Sequence, residues 1–192
     1  RVTLNPFVEL FDPNGAGTGD DEYFANLPSG CTWRGCWNPT AGSAVSNQFW
    51  SDYQNYLVAV AQIAANNNVD AMTVGTEYKA LDGNSAHNAS WNTVINAIDA
   101  TYAGPLGYAA NWDDYNNSNV TSAIWEHPAI DFIGIDSYFT NLVSASQADA
   151  SGTYPNATFV TAVTTAWNNK LNNQILPFAA ARKGGAGMPV AF

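Results

Sequence analysis

Four times along this chain a short apolar run gives way to an amphipathic stretch of helical length, and few folds accommodate that alternation. "VTLNPFVEL" (2–10) is β-branched and apolar, then breaks at Asp12-Pro13-Asn14-Gly15, as a strand entering a turn does. A Gly- and Pro-rich loop follows as far as Ala44. "SNQFWSDYQNYLVAVAQIAANNN" then sets Phe49, Tyr53, Tyr56, Leu57, Val60 and Ile63 at helical spacing, with Ser46 as cap and Asn66 to Asn68 as the stop. Strand "VDAMTVGTE" leads to helix "SWNTVINAIDATY", strand "GPLGYAANW" to a polar loop and a short helical "VTSAIWEH", and strand "IDFIGIDSYF" to helix "NATFVTAVTTAWNNKLNNQ". A final "GMPVAF" opens a fifth strand.

Such a pattern calls for parallel strands joined by right-handed helical crossovers, in either an open doubly wound sheet or a closed eight-stranded barrel. The strand ends choose between them. Glu9, Glu77, Asn111-Trp112 and Asp136-Ser137-Tyr138 put polar or aromatic groups at the C-terminal ends of successive strands, which in a barrel converge on one mouth. The Gly15, Gly17, Gly19 series lacks the full phosphate-loop fingerprint and no helix follows it directly, so it reads as a flexible loop. The expectation is a (β/α)8 TIM barrel of the α/β class, with five strands visible in a single domain over residues 1–192 whose two ends look cut.

Charge narrows the ligand. Six Lys and Arg face 16 Asp and Glu, a formal charge of −10, which repels nucleic acid and anionic membrane faces. Charged residues are only 11% of the chain, so its polar surface is drawn from Asn, Ser, Thr and Gln, a composition suited to a secreted protein with an uncharged, hydroxyl-rich ligand. No stretch approaches a membrane span. Cys31 and Cys36, five positions apart in "CTWRGC", are close enough to bridge if the loop folds back, with two free thiols as the alternative. Sequons at Asn88, Asn116, Asn119 and Asn156 are what an Asn-rich chain produces by chance.

Glu77 is the residue with the clearest chemical promise. It follows the apolar "MTVG", so it stands at the mouth, shielded and ringed by aromatics, where a carboxyl acquires the raised pKa of a general acid. The bland alternative is a Glu that caps the next helix or pairs with Lys79 or Arg34. His87 and His127 lie forty positions apart without metal-ligand spacing and read as packing or surface residues. "DPNGAGTGDDE" has the flavour of a calcium loop but places Tyr23 where an EF-hand needs its acidic ligand, and "DDYNNSN" (113–119) is a second oxygen-rich loop. No metal and no cofactor is called for.

"VGTEYKAL", "SWNTVINAIDATYAGPLGYAANWDDY" and "IDFIGIDSYF", with "TWRG" upstream, together resemble the glycoside hydrolases of family 113, β-mannanases of the large clan of retaining barrel glycosidases. The similarity runs through nearly the whole chain in order, and "GTE", "YAANW" and "DFIGIDSY" are its most specific pieces. The resemblance implies that the chain covers barrel strands three to seven, with Glu77 as acid/base at the end of strand four. It also implies that Tyr138 holds the nucleophile carboxylate, the alternative being a core tyrosine. Asn111 and Trp112 would supply a hydrogen bond and a stacking face for sugar, with Asp136, Trp33, Arg34 and Asn5 bordering the cleft. The nucleophile of the clan closes strand seven, here "MPVAF", so it is expected just past Phe192, and further polypeptide is expected to complete the barrel. Glu126 and Asp131 are expected to face the opposite end. The chain departs from the family at Asn5-Pro6-Phe7, where members often carry Lys-Pro-His, and at Thr76, where many clan members place Asn. The reading is a retaining glycosidase acting on a neutral β-linked polysaccharide, with β-mannan first. A carbohydrate-binding barrel without hydrolysis, or a clan relative acting on another β-glycan, is the rival.

Overall fold

The computed structural model describes residues 2–6, 33–139, 142 and 157–192. Five strands, β1 (Thr3–Leu4), β2 (Ala71–Thr76), β3 (Leu106–Asn111), β4 (Phe132–Asp136) and β5 (Val190–Ala191), form one parallel sheet in chain order. Strict chain order is what separates a barrel from a doubly wound sheet, which must reverse direction at a switch point. With each crossover right-handed, all the helices fall on one face, and the sheet is an arc of a (β/α)8 barrel. Residues 7–10 of the first strand segment, Glu9 among them, and the Gly15–Gly19 loop lie outside the described residues.

Helix α1 (Ala44–Asn66) begins one turn earlier than its apolar spacing indicates. Ser43, not Ser46, is the N-cap, and its hydroxyl accepts the Ser46 N–H at 3.1 Å; Ser46 is itself buried. The buried stripe of α1 runs through Phe49, Trp50, Tyr53, Leu57, Ala61 and Ala64, while Tyr56 and Ile63 face outward. The small side chains of Ala61 and Ala64 let α1 lie close to the sheet, and they moved the stripe off the larger residues that the spacing favoured.

The helical material after β2 is divided between a single turn, α2 (Lys79–Asp82), and α3 (Asn88–Asp99). After β3 the chain forms α4 (Ser118–Val120) and a π-turn over Thr121–Trp125. The last crossover is α5 (Ala157–Lys170), a π-turn over Leu171–Ile175 and α6 (Leu176–Ala180). Pro177 explains that π-turn: a proline has no N–H to give the preceding turn, and a local widening absorbs the missing bond.

Between the sheet and α1 and α3 sits an aromatic core. Trp37, Phe49, Trp50, Tyr53, Tyr78, Trp91, Tyr108 and Trp125 are all buried and meet largely edge to face, as at Trp50–Trp91 (5.1 Å between centroids) and Tyr53–Tyr78 (5.4 Å). Each such side chain contributes about 1.5–3 kcal/mol by burial alone. Gly75 is required by this packing, because a Cβ there would approach the Tyr53 hydroxyl at 2.8 Å and the Tyr108 ring at 3.0 Å.

A candidate active site at the strand ends

Glu77 owes its position to two local irregularities. Strand β2 carries a bulge against β3, the register passing from Thr73↔Gly107 to Thr76↔Ala109, so one extra residue of β2 is accommodated just before its end. Glu77 itself adopts φ 53°, a left-handed conformation uncommon outside glycine, and its N–H donates to Ala109 O at 2.8 Å. Together they turn the Glu77 side chain out of the strand direction, and strain of about 1–3 kcal/mol of this kind clusters at functional sites.

Two charged neighbours meet the carboxyl. The Arg34 guanidinium, on the 3₁₀ turn Arg34–Cys36, donates to Glu77 Oε2 at 2.7 Å and, through Nε, to the Thr76 carbonyl at 2.9 Å. Both side chains are largely shielded, 8% and 12% exposed. Asp136, at the end of β4, lies within hydrogen-bonding reach of Glu77. Burial pushes the Glu77 pKa up, the negative charge of Asp136 pushes it further, and Arg34 opposes both. Asp136 is likewise raised by burial, against the pull of Arg34 and the hydrogen bond with Glu77. Two carboxyls this close titrate as a pair, and the last proton they hold is an available acid.

The other expected residues are spread around this centre. Asn111 is buried at the end of β3, in register with Asp136, and its side-chain oxygen accepts from the Asp113 N–H at 3.4 Å. Asn5 accepts from the hydroxyls of Thr73 and Thr76, the latter at 2.7 Å, which ties β1 to the end of β2. Trp112 is half-buried and packs edge to face on Phe139, whose ring lies 4.7 Å from the Lys170 ammonium. Trp33 borders the Arg34 turn, its ring pressed against Gly35. Tyr138 is 75% exposed, and its N–H donates to Asp136 O at 2.9 Å. Lys79 pairs with Asp113 at 2.6 Å, so the partner of Glu77 among the two cations considered is Arg34.

At the opposite end of the sheet Asp131 accepts from the Leu106 N–H at 2.9 Å, and Glu126 accepts from the Lys183 N–H at 2.9 Å and pairs with Arg182 at 3.5 Å. Both carboxylates close crossovers there. The histidines are packing residues: Trp50 Nε1 donates to His87 Nδ1 at 3.3 Å, and the Ala129 N–H donates to His127 Nδ1 at 3.2 Å. Among the described residues no group of three or more His, Cys, Asp or Glu is placed to hold a metal ion, and no helix is long and apolar enough to cross a membrane. Cys36 is disulfide-bonded, and the chain's one other cysteine, Cys31, lies outside the described residues.

Sequence reasoning missed a second group of acids. Asp82 and Asp114 are buried behind Glu77, and Tyr108 joins Asp82 to the backbone of Tyr78. The consecutive acids of "NWDDY" hinted at it, but only the fold brings Asp114 to α2.

A family model, Glycoside Hydrolase Family 113, matches residues 29–176. Among solved structures, a family 113 β-mannanase from Alicyclobacillus acidocaldarius in complex with ManMIm is 20% identical (TM-score 0.46), with 56% of this chain and 33% of that one covered. A family 113 β-1,4-mannanase is 20% identical (TM-score 0.47; 58% and 35% covered). A complex of a family 113 β-1,4-mannanase is 25% identical (TM-score 0.47; 56% and 33% covered). The overlap with these structures thus amounts to about a third of their length. No curated protein sequence matches the chain.

Proposed function

Because the chain belongs to glycoside hydrolase family 113, we propose that it carries the acid/base half of a retaining glycosidase centre, acting on a neutral β-linked polysaccharide, with β-mannan as the first substrate to test. The observation that carries this reading is the Glu77 carboxyl, shielded at a strand end, raised by burial and by Asp136, and oriented by Arg34. A carboxyl of that kind keeps its proton until a leaving oxygen needs it.

In the first step Glu77 gives its proton to the glycosidic oxygen as the bond to the anomeric carbon breaks, and a second carboxylate attacks that carbon from the other face. Water, deprotonated by Glu77, then releases the sugar and restores the acid. The two carboxyls of a retaining centre stand about 5 to 5.5 Å apart, so Asp136, in hydrogen-bonding reach of Glu77, is too close to be the nucleophile. It serves instead to hold the proton on Glu77. The nucleophile is proposed to come from polypeptide beyond Phe192, and polypeptide flanking β1 and β5 to complete the barrel, since an open parallel sheet leaves two edges to pair.

Asn111, Trp112 and Trp33 are proposed to line the cleft for the sugar, where aromatic faces suit the C–H side of a pyranose. Tyr138 is proposed to hold the nucleophile. No cofactor takes part. The proposed setting is outside the cell, where the disulfide of Cys36 persists and polymeric substrate is found.

The test compares wild type with Glu77→Gln on soluble β-mannan. The reading predicts that sugar release falls by about 10²- to 10⁴-fold while binding to the polymer is retained. Equal release by both forms, or binding without release by either, would replace it with a carbohydrate binder.

A further inference from the structure

Behind the acid/base lies a buried polar chain that no step above uses. The Tyr78 N–H, on the peptide that follows Glu77, donates to the Tyr108 hydroxyl at 2.9 Å, and that hydroxyl donates to Asp82 Oδ2 at 2.5 Å. The other oxygen, Asp82 Oδ1, is buried without a bonded donor, and so is Asp114 Oδ2. The two carboxyls are within hydrogen-bonding reach of each other. Asp82 is fully buried and Asp114 nearly so.

Two ionised carboxylates cannot face each other in such a place without a compensating charge. Of the nearby cations, Arg34 pairs with Glu77 and Lys79 with Asp113, and the opposed charges of that second pair both reach Asp114. His87, on the following 3₁₀ turn, is held between Trp50 and Asn38. A hydrogen on one carboxyl satisfies both orphaned oxygens at once. Asp82 is the one that carries it, since its second oxygen already accepts from Tyr108 and it is the more deeply buried.

We propose that Asp82 and Asp114 share one proton, and that through Tyr108 this pair is the positioning support that fixes the left-handed turn at Glu77. The inference rests on the acid/base role of Glu77 given above. Protonated Asp82 offers a carbonyl oxygen to Tyr108 and an O–H to Asp114; the Tyr108 hydroxyl, so oriented, keeps a lone pair for the Tyr78 N–H. The peptide after Glu77 is thereby held from below while Arg34 holds the Thr76 carbonyl before it. The directions of titration agree: burial drives Asp82 well above the usual carboxylate range, and burial raises Asp114 too, but less, since the hydrogen bonds from Asp82 and Asn117 and the charge of Lys79 favour its charged form.

Asparagine has the shape and hydrogen-bonding sense of a protonated Asp, so Asp82→Asn is the decisive variant, and Tyr108→Phe removes the link while keeping the ring. Denaturation midpoints between pH 5 and 8 are read first, and need no catalysis. Asp82→Asn is expected to lie closest to wild type at pH 5 and to exceed it increasingly as pH rises, because only the wild type, on unfolding, releases a proton that its fold retains. In steady-state assays on β-mannan Asp82→Asn is expected to keep kcat within about threefold, and Tyr108→Phe to lose kcat by about 100-fold with KM unchanged, the cost of a misplaced catalytic group. The proposal is overturned if Asp82→Asn is destabilised at every pH, or if calcium, sodium or potassium chloride raises the wild-type midpoint in a way that Asp82→Asn abolishes, since either means an ionised, cation-holding pair. It is equally overturned if Tyr108→Phe keeps its kcat. If wild type hydrolyses nothing, the role assigned to Glu77 fails, and the midpoints still decide whether the proton is shared.

Discussion

Arg34→Met keeps the length of the side chain and removes its charge, and it tests how the site is held together. In the wild type the guanidinium donates to Glu77 Oε2 at 2.7 Å and to the Thr76 carbonyl at 2.9 Å, with both side chains largely out of water. Taking away one member of such a pair strands the other charge, a loss of about 3–5 kcal/mol. Glu77 has an escape, because it can take up a proton and become neutral. In the variant its pKa rises further, for Arg34 is the influence that lowers it. A carboxyl whose folded pKa lies above its unfolded value stabilises the fold below the unfolded pKa, and that contribution is lost as pH rises through the folded one. Each further unit of pKa separation adds about 1.4 kcal/mol to that loss once both values are passed.

The expected result is therefore a pH-dependent deficit. Near pH 4, with Glu77 protonated, what remains is the unpaired Thr76 carbonyl, about 1–3 kcal/mol. At pH 8 the full 3–5 kcal/mol is expected, a fall in Tm on the order of 10 °C for a chain of this size. Urea denaturation followed by tryptophan fluorescence at the two pH values measures both, and the core tryptophans make the signal large. A deficit below about 1 kcal/mol that does not change with pH would refute the reasoning, since a solvent-screened surface pair behaves that way.

Two further outcomes follow from the same geometry. Gly75→Ala is expected to cost about 1–3 kcal/mol by forcing Tyr53 and Tyr108 apart, read as a lower urea midpoint with an unchanged slope; an unchanged midpoint would mean the rings yield freely. Trapping the covalent glycosyl-enzyme with a slow fluorinated substrate and sequencing the labelled peptide is expected to place the label beyond Phe192, and a label on Asp136 would contradict its assignment here.

The order of elements was legible because apolar runs and amphipathic stretches carry different periods, and Glu77 was legible because a lone carboxylate after "MTVG" has few reasons to be there. The choice of Arg34 over Lys79 was not. Both are within reach in sequence terms, and only the 3₁₀ turn at Arg34–Cys36 and the Lys79–Asp113 pair decide it. The buried face of α1 was half legible: a 3.6-residue period allows neighbouring stripes, and the choice went to Ala61 and Ala64, whose value is closeness rather than apolar area. The cap was misplaced because Ser43 and Ser46 stand three residues apart, the spacing at which one serves as cap and the other as its donor. Nothing local could reveal the Asp82–Asp114 contact, which joins the α2 turn after β2 to the loop after the neighbouring β3.

The claim on which the rest depends is that Glu77 supplies the proton to the leaving oxygen, and the dependence of kcat/KM on the leaving group tests it most directly. Wild type and Glu77→Gln are compared on β-mannan, whose departing alcohol needs protonation, and on a dinitrophenyl β-mannoside, whose departing phenolate does not. The account predicts a loss of about 10²- to 10⁴-fold on the polymer and less than about tenfold on the activated glycoside. Equal losses on both substrates would mean that Glu77 binds sugar or supports the fold, and the acid/base assignment would be wrong.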